Sequence, residues 1–126
     1  MNGKRIEIRI KRVYEEPEEA DGCRILVDRL WARGLSKEKT RVDIWIKEIA
    51  PSNELRRWYG HDLDKWTEFK ARYAAELETM PRQVEALLNN IQAGMVTFLY
   101  SSKERQLNNA VALKEYMESM IDDQAI

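Results

Sequence analysis

The 126-residue sequence contains a single cysteine, Cys23, and a single histidine, His61. One cysteine excludes a disulfide framework within the chain, and we interpret Cys23 as a small buried or half-buried side chain. A transition-metal site would have to rely on carboxylates, so we predict no metal. The motifs Cys-x-x-Cys, His-Glu-x-x-His, Gly-x-Gly-x-x-Gly and Gly-x-x-x-x-Gly-Lys-Ser/Thr are also missing. Zinc, dinucleotide and P-loop sites are therefore not expected, and we predict no cofactor.

Long apolar runs and a strong net charge are missing as well. No run approaches the roughly 18 apolar residues of a membrane helix. The amino terminus, Met-Asn-Gly-Lys-Arg-Ile-Glu, lacks the apolar stretch of a signal peptide. We therefore expect a cytoplasmic protein with no membrane partner. The 21 basic and 22 acidic side chains give a formal net charge of -1, so any anion must be bound locally rather than by a global field.

What the chain does contain is an alternation of strand and helix patterns. Its length fits one domain over residues 1–126. Period-two alternation predicts a strand over 6–13, and short apolar runs predict strands over 23–27 and 95–100. Residues 41–50 fit a strand or a helix equally well. This order favours an α/β fold with a small, mostly parallel sheet of about three or four strands and helices on its faces.

Two capped helices are predicted after residue 50. Ser52 is a good N-cap for a short helix through Tyr59, and Gly60 is placed to end that helix in a left-handed conformation. Asp62 can cap the next helix, whose apolar side chains recur at intervals of three and four residues. We assign this stripe to the core: Trp66, Phe69, Tyr73, Leu77 and Met80.

Two more helices surround the last predicted strand. The first has Pro81 in its opening turn, ends at Gly94 and would bury Val84, Leu87, Leu88 and Ile91. Ser101 and Glu104 have the spacing of a capping box, which predicts that the final helix begins there. Its buried side chains would be Leu107, Ala110, Val111 and Met117.

The loops that follow the strands carry the candidate ligand-binding groups. Because the carboxyl ends of parallel strands meet at one edge of a sheet, residues 11–12, 28–37 and 101–103 should lie together. The cations there suit an anionic group: Arg12, Arg29, Arg33 and Lys37. At the predicted helix start, the backbone N–H groups of Ser101 and Ser102 would suit a phosphate or a carboxylate. The alternative for these serines is plain helix capping.

Other polar and aromatic residues near this edge each allow a functional and a structural interpretation. Asp28 is a candidate base, or it forms a structural salt bridge with Arg29 across the strand end. Trp31 is a stacking surface for a planar ligand or an anchor of its loop. His61 is an acid–base candidate or merely ends a helix.

Two asparagines, Asn108 and Asn109, are unusual so early in a helix, because asparagine has a low helix propensity. One of them, with Asn108 the candidate, could reach the same edge and hydrogen-bond a ligand or a neighbouring loop.

Several separate motifs, taken together and in order, resemble the bacterial domain-of-unknown-function family 488. They are Lys11-Arg12-Val13-Tyr14, Asp21-Gly22, Leu26 to Trp31, Arg33 to Lys37, Ala50-Pro51-Ser52, Leu55-Arg56, His61-Asp62 and Asn108-Asn109-Ala110. The resemblance covers nearly the whole chain and implies a small cytoplasmic α/β protein. It carries over no reaction, cofactor or catalytic residue. Ala32 and Leu63 stand where the family pattern commonly has proline, and neither change removes a polar group.

Three hypotheses about function remain at this point. The first is an enzyme or ligand-binding domain with an arginine- and lysine-lined site for a small anionic ligand, such as a phosphate. The second is a non-catalytic regulatory or interaction module, with nucleic acid as a partner disfavoured by the near-zero net charge. The third is an internal salt-bridge network that only orders the loops. A homodimer is compatible with the apolar content, although no interface can be located.

Overall fold

A computed structural model of the chain describes residues 6–124, so the domain predicted over 1–126 is seen without its first five and last two residues. Four strands form one sheet in the order β1-β4-β2-β3, and all three strand pairs are parallel. The strands are β1 (Ile8–Arg12), β2 (Cys23–Leu26), β3 (Ile44–Trp45) and β4 (Val96–Tyr100). The predicted α/β class and parallel sheet are therefore confirmed.

The five α-helices are α1 (Lys37–Thr40), α2 (Asn53–Tyr59), α3 (Trp66–Glu78), α4 (Pro81–Ala93) and α5 (Asn109–Gln124). Short 3-10 turns cover Glu19–Asp21, Lys47–Ile49 and Leu63–Lys65. No helix among residues 6–124 combines the length and apolar character required to cross a membrane.

The central position of β4 in the sheet explains why its residues, apart from Thr97, are apolar. All five of its residues are buried, because the strand is paired on both sides and covered on both faces. Phe98 aligns with Ile10 of β1 and with Ile25 of β2. By contrast, β1 lies at the edge of the sheet, and only Ile8 of its five residues is buried.

The segment 41–50, which fitted a strand or a helix equally well, contains a very short strand followed by a single 3-10 turn. Ile44 and Trp45 pair with Ile25 and Leu26 as β3, and Lys47–Ile49 then make one 3-10 turn. The two overlapping periodicities arise because neither element is long enough to impose its own pattern.

The predicted cap residues of α2 and of the element after it are confirmed. The hydroxyl of Ser52 accepts a hydrogen bond from the Leu55 N–H at 3.0 Å, and Gly60 ends α2 with φ of 50°. Asp62 accepts from the Asp64 N–H at 3.1 Å, although it caps the 3-10 turn that leads into α3 rather than α3 itself.

The core stripes of α3 and α4 also agree with the sequence. Phe69, Tyr73 and Leu77 are buried on α3, while Trp66 and Met80 pack against them half-buried. On α4, all four predicted side chains are buried.

The two faces of the sheet are covered differently. Alternate residues of β4, namely Val96, Phe98 and Tyr100, contribute to the large core that includes buried side chains of α2, α3, α4 and α5. On the opposite face, Leu99 belongs to a smaller cluster with Leu26, supplied mainly by loop residues. The longer helices therefore share one face, and loops with the short α1 cover the other.

A buried ionic cluster lies at the loop-covered face. The side chain of Asp21 is fully buried and accepts from Arg24 Nη1 at 2.5 Å and from Lys11 Nζ at 3.0 Å. The backbone carbonyl of Asp21 accepts from the Thr97 hydroxyl at 2.7 Å. Burial alone would raise the pKa of the Asp21 carboxyl, but hydrogen bonds from the Glu18 N–H, Lys11 and Arg24 outweigh it and hold the pKa below its usual range.

The predicted start of the final helix is wrong. Residues 101–108 form a loop, and α5 begins only at Asn109. The Ser101 N–H, which a capping box would pair with the Glu104 carboxylate, donates to the Asp28 carboxylate at 2.9 Å. Instead, Asn108 Oδ1 accepts from the Val111 N–H at 3.0 Å and caps the helix. Leu107 therefore precedes the helix, and the buried side chains of α5 are Ala110, Ala112, Leu113 and Met117, with Val111 half-buried.

Candidate functional site

A cavity of about 410 Å³ lies at the carboxyl-end edge of the sheet, where the loops after β2 and β4 meet α2 and the start of α5. Parallel sheets ordinarily place ligand sites at this edge. The cavity wall includes eight of the ten residues predicted for the site: Asp28, Arg29, Trp31, Arg33, His61, Ser101, Ser102 and Asn108.

Arg12 and Lys37 are the two predicted residues that do not line the cavity. Arg12 Nε donates to the Ser102 carbonyl at 2.9 Å, and its Nη2 donates to the Ser101 carbonyl at 3.0 Å. Its guanidinium also stacks on the ring of Tyr14. Arg12 therefore fixes the loop after β4. Lys37 is exposed as the first residue of α1, which turns away from the cavity wall.

Asp28 connects three elements rather than pairing with its neighbour. Its Oδ2 accepts from the Ser101 N–H at 2.9 Å and from the Ser101 hydroxyl at 2.7 Å. Its Oδ1 accepts from Asn109 Nδ2 at 3.0 Å. The predicted Asp28–Arg29 salt bridge does not form, and the carboxylate instead joins the ends of β2 and β4 to the first residue of α5.

The Arg29 guanidinium lies in the cavity wall without a carboxylate partner among residues 6–124. Its Nη2 donates to the carbonyls of Ala50 at 3.1 Å and Pro51 at 3.3 Å. Its Nε is buried and has no hydrogen-bond partner in the same part of the chain. An unsatisfied donor on a half-buried cation costs free energy, because the lost hydration is not replaced. Nearly all buried polar groups in proteins are accordingly hydrogen-bonded.

Three further cationic or titratable side chains line the cavity: Arg33, Arg56 and His61. All three are exposed, and neither arginine is in an ion pair with any residue the structure describes. Elsewhere in the described chain, Arg24 and Lys11 are neutralised by Asp21. The cavity wall therefore includes three arginines that form no ion pair with the described residues.

Arg56 also lines the cavity, although it was not among the residues predicted for the site. The signal was the spacing from Tyr59, since residues three apart share a helix face and Tyr59 also lines the cavity. Arg57 instead donates to the Asn53 carbonyl along its own helix and does not line the cavity.

The backbone at His61 is unusual. Gly60 and His61 both have positive φ, at 50° and 62°, and the turn is closed by the Asp62 N–H donating to the Tyr59 carbonyl at 2.8 Å. A left-handed conformation costs a residue with a Cβ about 1 kcal/mol. The chain accepts this strain at a position that directs an imidazole to the cavity wall.

Aromatic side chains form the apolar part of the wall. The rings of Tyr59 and Phe69 are stacked with centroids 4.4 Å apart. Burial raises the pKa of the Tyr59 phenol, and its hydroxyl donates to the Leu107 carbonyl at 2.9 Å. The Nε1 of Trp31 anchors its loop by donating to the Leu35 carbonyl at 2.7 Å, and Trp31 also lines the cavity.

The two asparagines have different structural roles. Asn108 is buried and caps α5, with its Nδ2 donating to the Glu104 carbonyl at 2.9 Å. Asn109 reaches the sheet edge, where its Nδ2 donates to Asp28 and to the Val27 carbonyl at 3.2 Å. Both line the cavity, and both are occupied by protein partners.

Within residues 6–124 no group of three or more histidine, cysteine, aspartate or glutamate side chains is arranged to hold a metal ion. The chemistry offered by the cavity is that of hydrogen-bond donors and cations beside aromatic rings. Its single acidic side chain, Asp28, is already engaged by Ser101 and Asn109.

Known proteins similar to this chain share its sequence over long stretches. The uncharacterized protein YeaO of Escherichia coli is 39% identical over 113 residues, which cover 90% of this chain and 98% of YeaO. Uncharacterized proteins of Mycobacterium bovis and Mycobacterium tuberculosis are 50% identical over 70 residues, which cover 56% of this chain and 59% of theirs. No solved structure matches the chain.

A family model described as "Inactive DUF488-N3 subclade" matches residues 7–125. This match spans nearly the whole sequence, and YeaO is matched along almost its full length. The chain therefore belongs to the domain-of-unknown-function 488 (DUF488) family, within the subclade described as inactive.

Proposed function

We propose that this protein is a binding domain for a small anionic ligand, which it holds in the cavity at the carboxyl ends of the strands without turning it over. The observation that carries the proposal is the state of Arg29. Its guanidinium lies in the cavity wall, has no carboxylate partner among the described residues and retains an unsatisfied buried donor. A bound anion supplies the missing negative charge beside the guanidinium.

The surrounding charges support the same ligand. Arg33 and Arg56 add two guanidinium groups to the wall, and neither is neutralised by the protein residues described. Guanidinium groups bind phosphate and carboxylate in a bidentate geometry. Three such groups around one cavity, with the Asp28 charge spread over three hydrogen bonds, favour an anion over a neutral or cationic ligand.

Binding without turnover is supported by the positions of the two acid–base candidates. Asp28 accepts three hydrogen bonds from the protein, so its oxygens are committed to holding the loops together. This leaves His61 without a partner acid or base in the cavity wall. The matching family model describes an inactive subclade, which points in the same direction.

A thermal-shift titration of the purified protein with phosphate, sulfate, acetate and citrate tests this proposal. A ligand at about a hundred times its Kd adds about 2.7 kcal/mol of stability, which at this size raises Tm by about 10 °C. Arg33→Ala and Arg56→Ala should each weaken binding about tenfold. Arg57→Ala is the matched control, because Arg57 lies on the same helix as Arg56 but outside the cavity wall.

Two results would count against the proposal. One is the absence of a shift from every anion. The other is an equal loss of the shift in Arg56→Ala and Arg57→Ala, which would indicate general surface electrostatics. A shift produced by short oligonucleotides alone, steeply reduced by salt, would support the interaction-module alternative instead.

A further inference from the structure

We infer that the ligand of this cavity is an organic anion, in which an acidic group is carried on an apolar or aromatic body that has no positive charge. This inference rests on the proposed anion-binding function and adds the chemical class of the ligand. It follows from the size of the cavity, the character of its wall and the engagement of its single carboxylate.

The size of the cavity exceeds that of an inorganic anion. A volume of about 410 Å³ falls in the range of roughly 300–1,000 Å³ that is typical of sites for organic small molecules. Phosphate or sulfate held by the guanidinium groups would leave most of this space to water. The remaining volume therefore accommodates a body attached to the anionic group.

Part of the cavity wall is suited to an apolar body. The stacked rings of Tyr59 and Phe69 are both nearly buried, at 7% and 2% exposure, and present an aromatic surface to the cavity. Leu30 also lines the cavity and is 65% exposed, the largest exposure among the exposed large apolar side chains of the described residues. An apolar body seated against Leu30 would remove this side chain from water, which stabilises the complex.

The described wall offers no unengaged carboxylate to a cationic group on the ligand. Asp28 is the only acidic residue in the wall, and both of its oxygens accept hydrogen bonds from Ser101 and Asn109. An ammonium group would lie among the guanidinium groups of Arg29, Arg33 and Arg56, and the one carboxylate of the described wall already accepts three hydrogen bonds. Zwitterions such as amino acids should therefore be rejected.

Matched pairs of ligands test these features by calorimetry on the purified protein. Phenyl phosphate is compared with inorganic phosphate, and benzoate with acetate. In each pair the apolar body changes while the kind of anionic group stays the same. Each aromatic member should bind about tenfold more tightly or better, as burial of a ring ordinarily provides. Phenylalanine differs from 3-phenylpropanoate by an added ammonium group. It should bind at least about tenfold more weakly than 3-phenylpropanoate.

Two variants separate the contribution of Leu30 from a general effect of surface leucines. Leu30→Ser should reduce the affinity for phenyl phosphate and leave the affinity for inorganic phosphate unchanged. Leu63→Ser is the control, because Leu63 is also an exposed leucine, at 46%, but does not line the cavity.

The outcomes distinguish this inference from the proposed function. If inorganic phosphate or acetate binds as tightly as its aromatic counterpart, or if phenylalanine binds as tightly as 3-phenylpropanoate, the organic-anion inference fails while anion binding stands. If no anion binds at all, the proposed function itself fails. The phosphate and carboxylate pairs together show which acidic group the cavity prefers.

Discussion

Asp28 accepts two hydrogen bonds from one residue, Ser101, through the backbone N–H at 2.9 Å and the side-chain hydroxyl at 2.7 Å. The two residues follow β2 and β4, which are neighbours in the sheet. This contact closes the carboxyl-end edge of the sheet just where the cavity begins. The Asp28 carboxylate, a candidate base in the sequence, thus holds two loops of the cavity wall together.

We predict strong energetic coupling between Asp28 and Ser101. Asp28→Asn and Ser101→Ala should each destabilise the protein, because hydrogen bonds to a charged group contribute about 1.5–3 kcal/mol. In a double-mutant cycle followed by urea unfolding, the pair should couple by about 1 kcal/mol or more. The cycle of Asp28→Asn with Arg33→Ala is the control and should be additive, since no contact joins those residues. Additive effects of Asp28→Asn and Ser101→Ala would contradict a role of this contact in stabilising the fold.

Gly22 is predicted to be far less tolerant of a side chain than Gly34. Both have positive φ, at 64° and 78°, so replacement by alanine strains the backbone at either position. A Cβ at Gly22 would also lie 2.3 Å from the Met95 carbonyl oxygen, whereas a Cβ at Gly34 meets nothing within 4 Å. Gly34→Ala should cost about 1 kcal/mol, and Gly22→Ala about 3 kcal/mol or more. Equal losses in the urea midpoints of the two variants would show that the Met95 contact is unimportant.

The buried Asp21 carboxyl should make stability dependent on acid pH. Its folded-state pKa is lower than its ordinary value, because hydrogen bonds from Glu18, Lys11 and Arg24 outweigh the effect of burial. The unfolded chain therefore binds the proton more readily. The stability gained is complete above the ordinary aspartate pKa of about 3.9 and is lost as the pH falls from there through the folded-state pKa.

Asp21→Asn isolates this contribution. The variant should lose about 3–5 kcal/mol at neutral pH, because Arg24 is left buried with an unpaired charge. Its remaining stability should fall less steeply than that of the wild type below about pH 4. Unfolding free energies measured from pH 2.5 to 7 test both effects, and Glu19→Gln, an exposed change in the same turn, should resemble the wild type. Parallel acid profiles for wild type and Asp21→Asn would refute the assignment.

His61→Gly should separate stability from binding. Glycine adopts the left-handed conformation at this position without strain, so the variant should be as stable as the wild type or about 1 kcal/mol more stable. Loss of the imidazole from the cavity wall should nevertheless weaken anion binding. Arg41→Gly is matched in backbone conformation, with φ of 50°, but Arg41 does not line the cavity and its replacement should leave binding unchanged. Destabilisation by His61→Gly, or unchanged affinity, would contradict this view of the turn.

The elements that the sequence predicted well are those whose signals are local. Ser52 and Gly60 mark the two ends of α2 through hydrogen bonds within a few residues. Pro81 marks the start of α4, because its fixed φ suits the first turn of a helix. The buried run of β4 is equally direct, because a strand covered on both faces is mainly apolar. The gathering of Asp28, Arg29 and Ser101 at one edge followed from parallel topology alone.

The errors arose where a distant residue changed a local preference. Ser101 and Glu104 had the spacing of a capping box, but Asp28, which lies 73 positions from Ser101, accepts the Ser101 N–H that the box would have paired with Glu104. Arg12 and Lys37 had suitable charge and position, yet the first is held by loop carbonyls and the second lies on the outer side of α1. The left-handed conformation of His61 has no sequence signal comparable to that of a glycine.

The place of β4 between β1 and β2 has a consequence for synthesis on the ribosome. β1 and β2 emerge early, but each is hydrogen-bonded to β4, which belongs to the last third of the chain. A nascent chain that stops before Val96 therefore leaves β1 without a sheet neighbour, and β2 has only the two-residue β3. Such exposed edges invite association with other chains. We expect this protein to need protection by nascent-chain chaperones more than a protein of equal length whose neighbouring strands are consecutive.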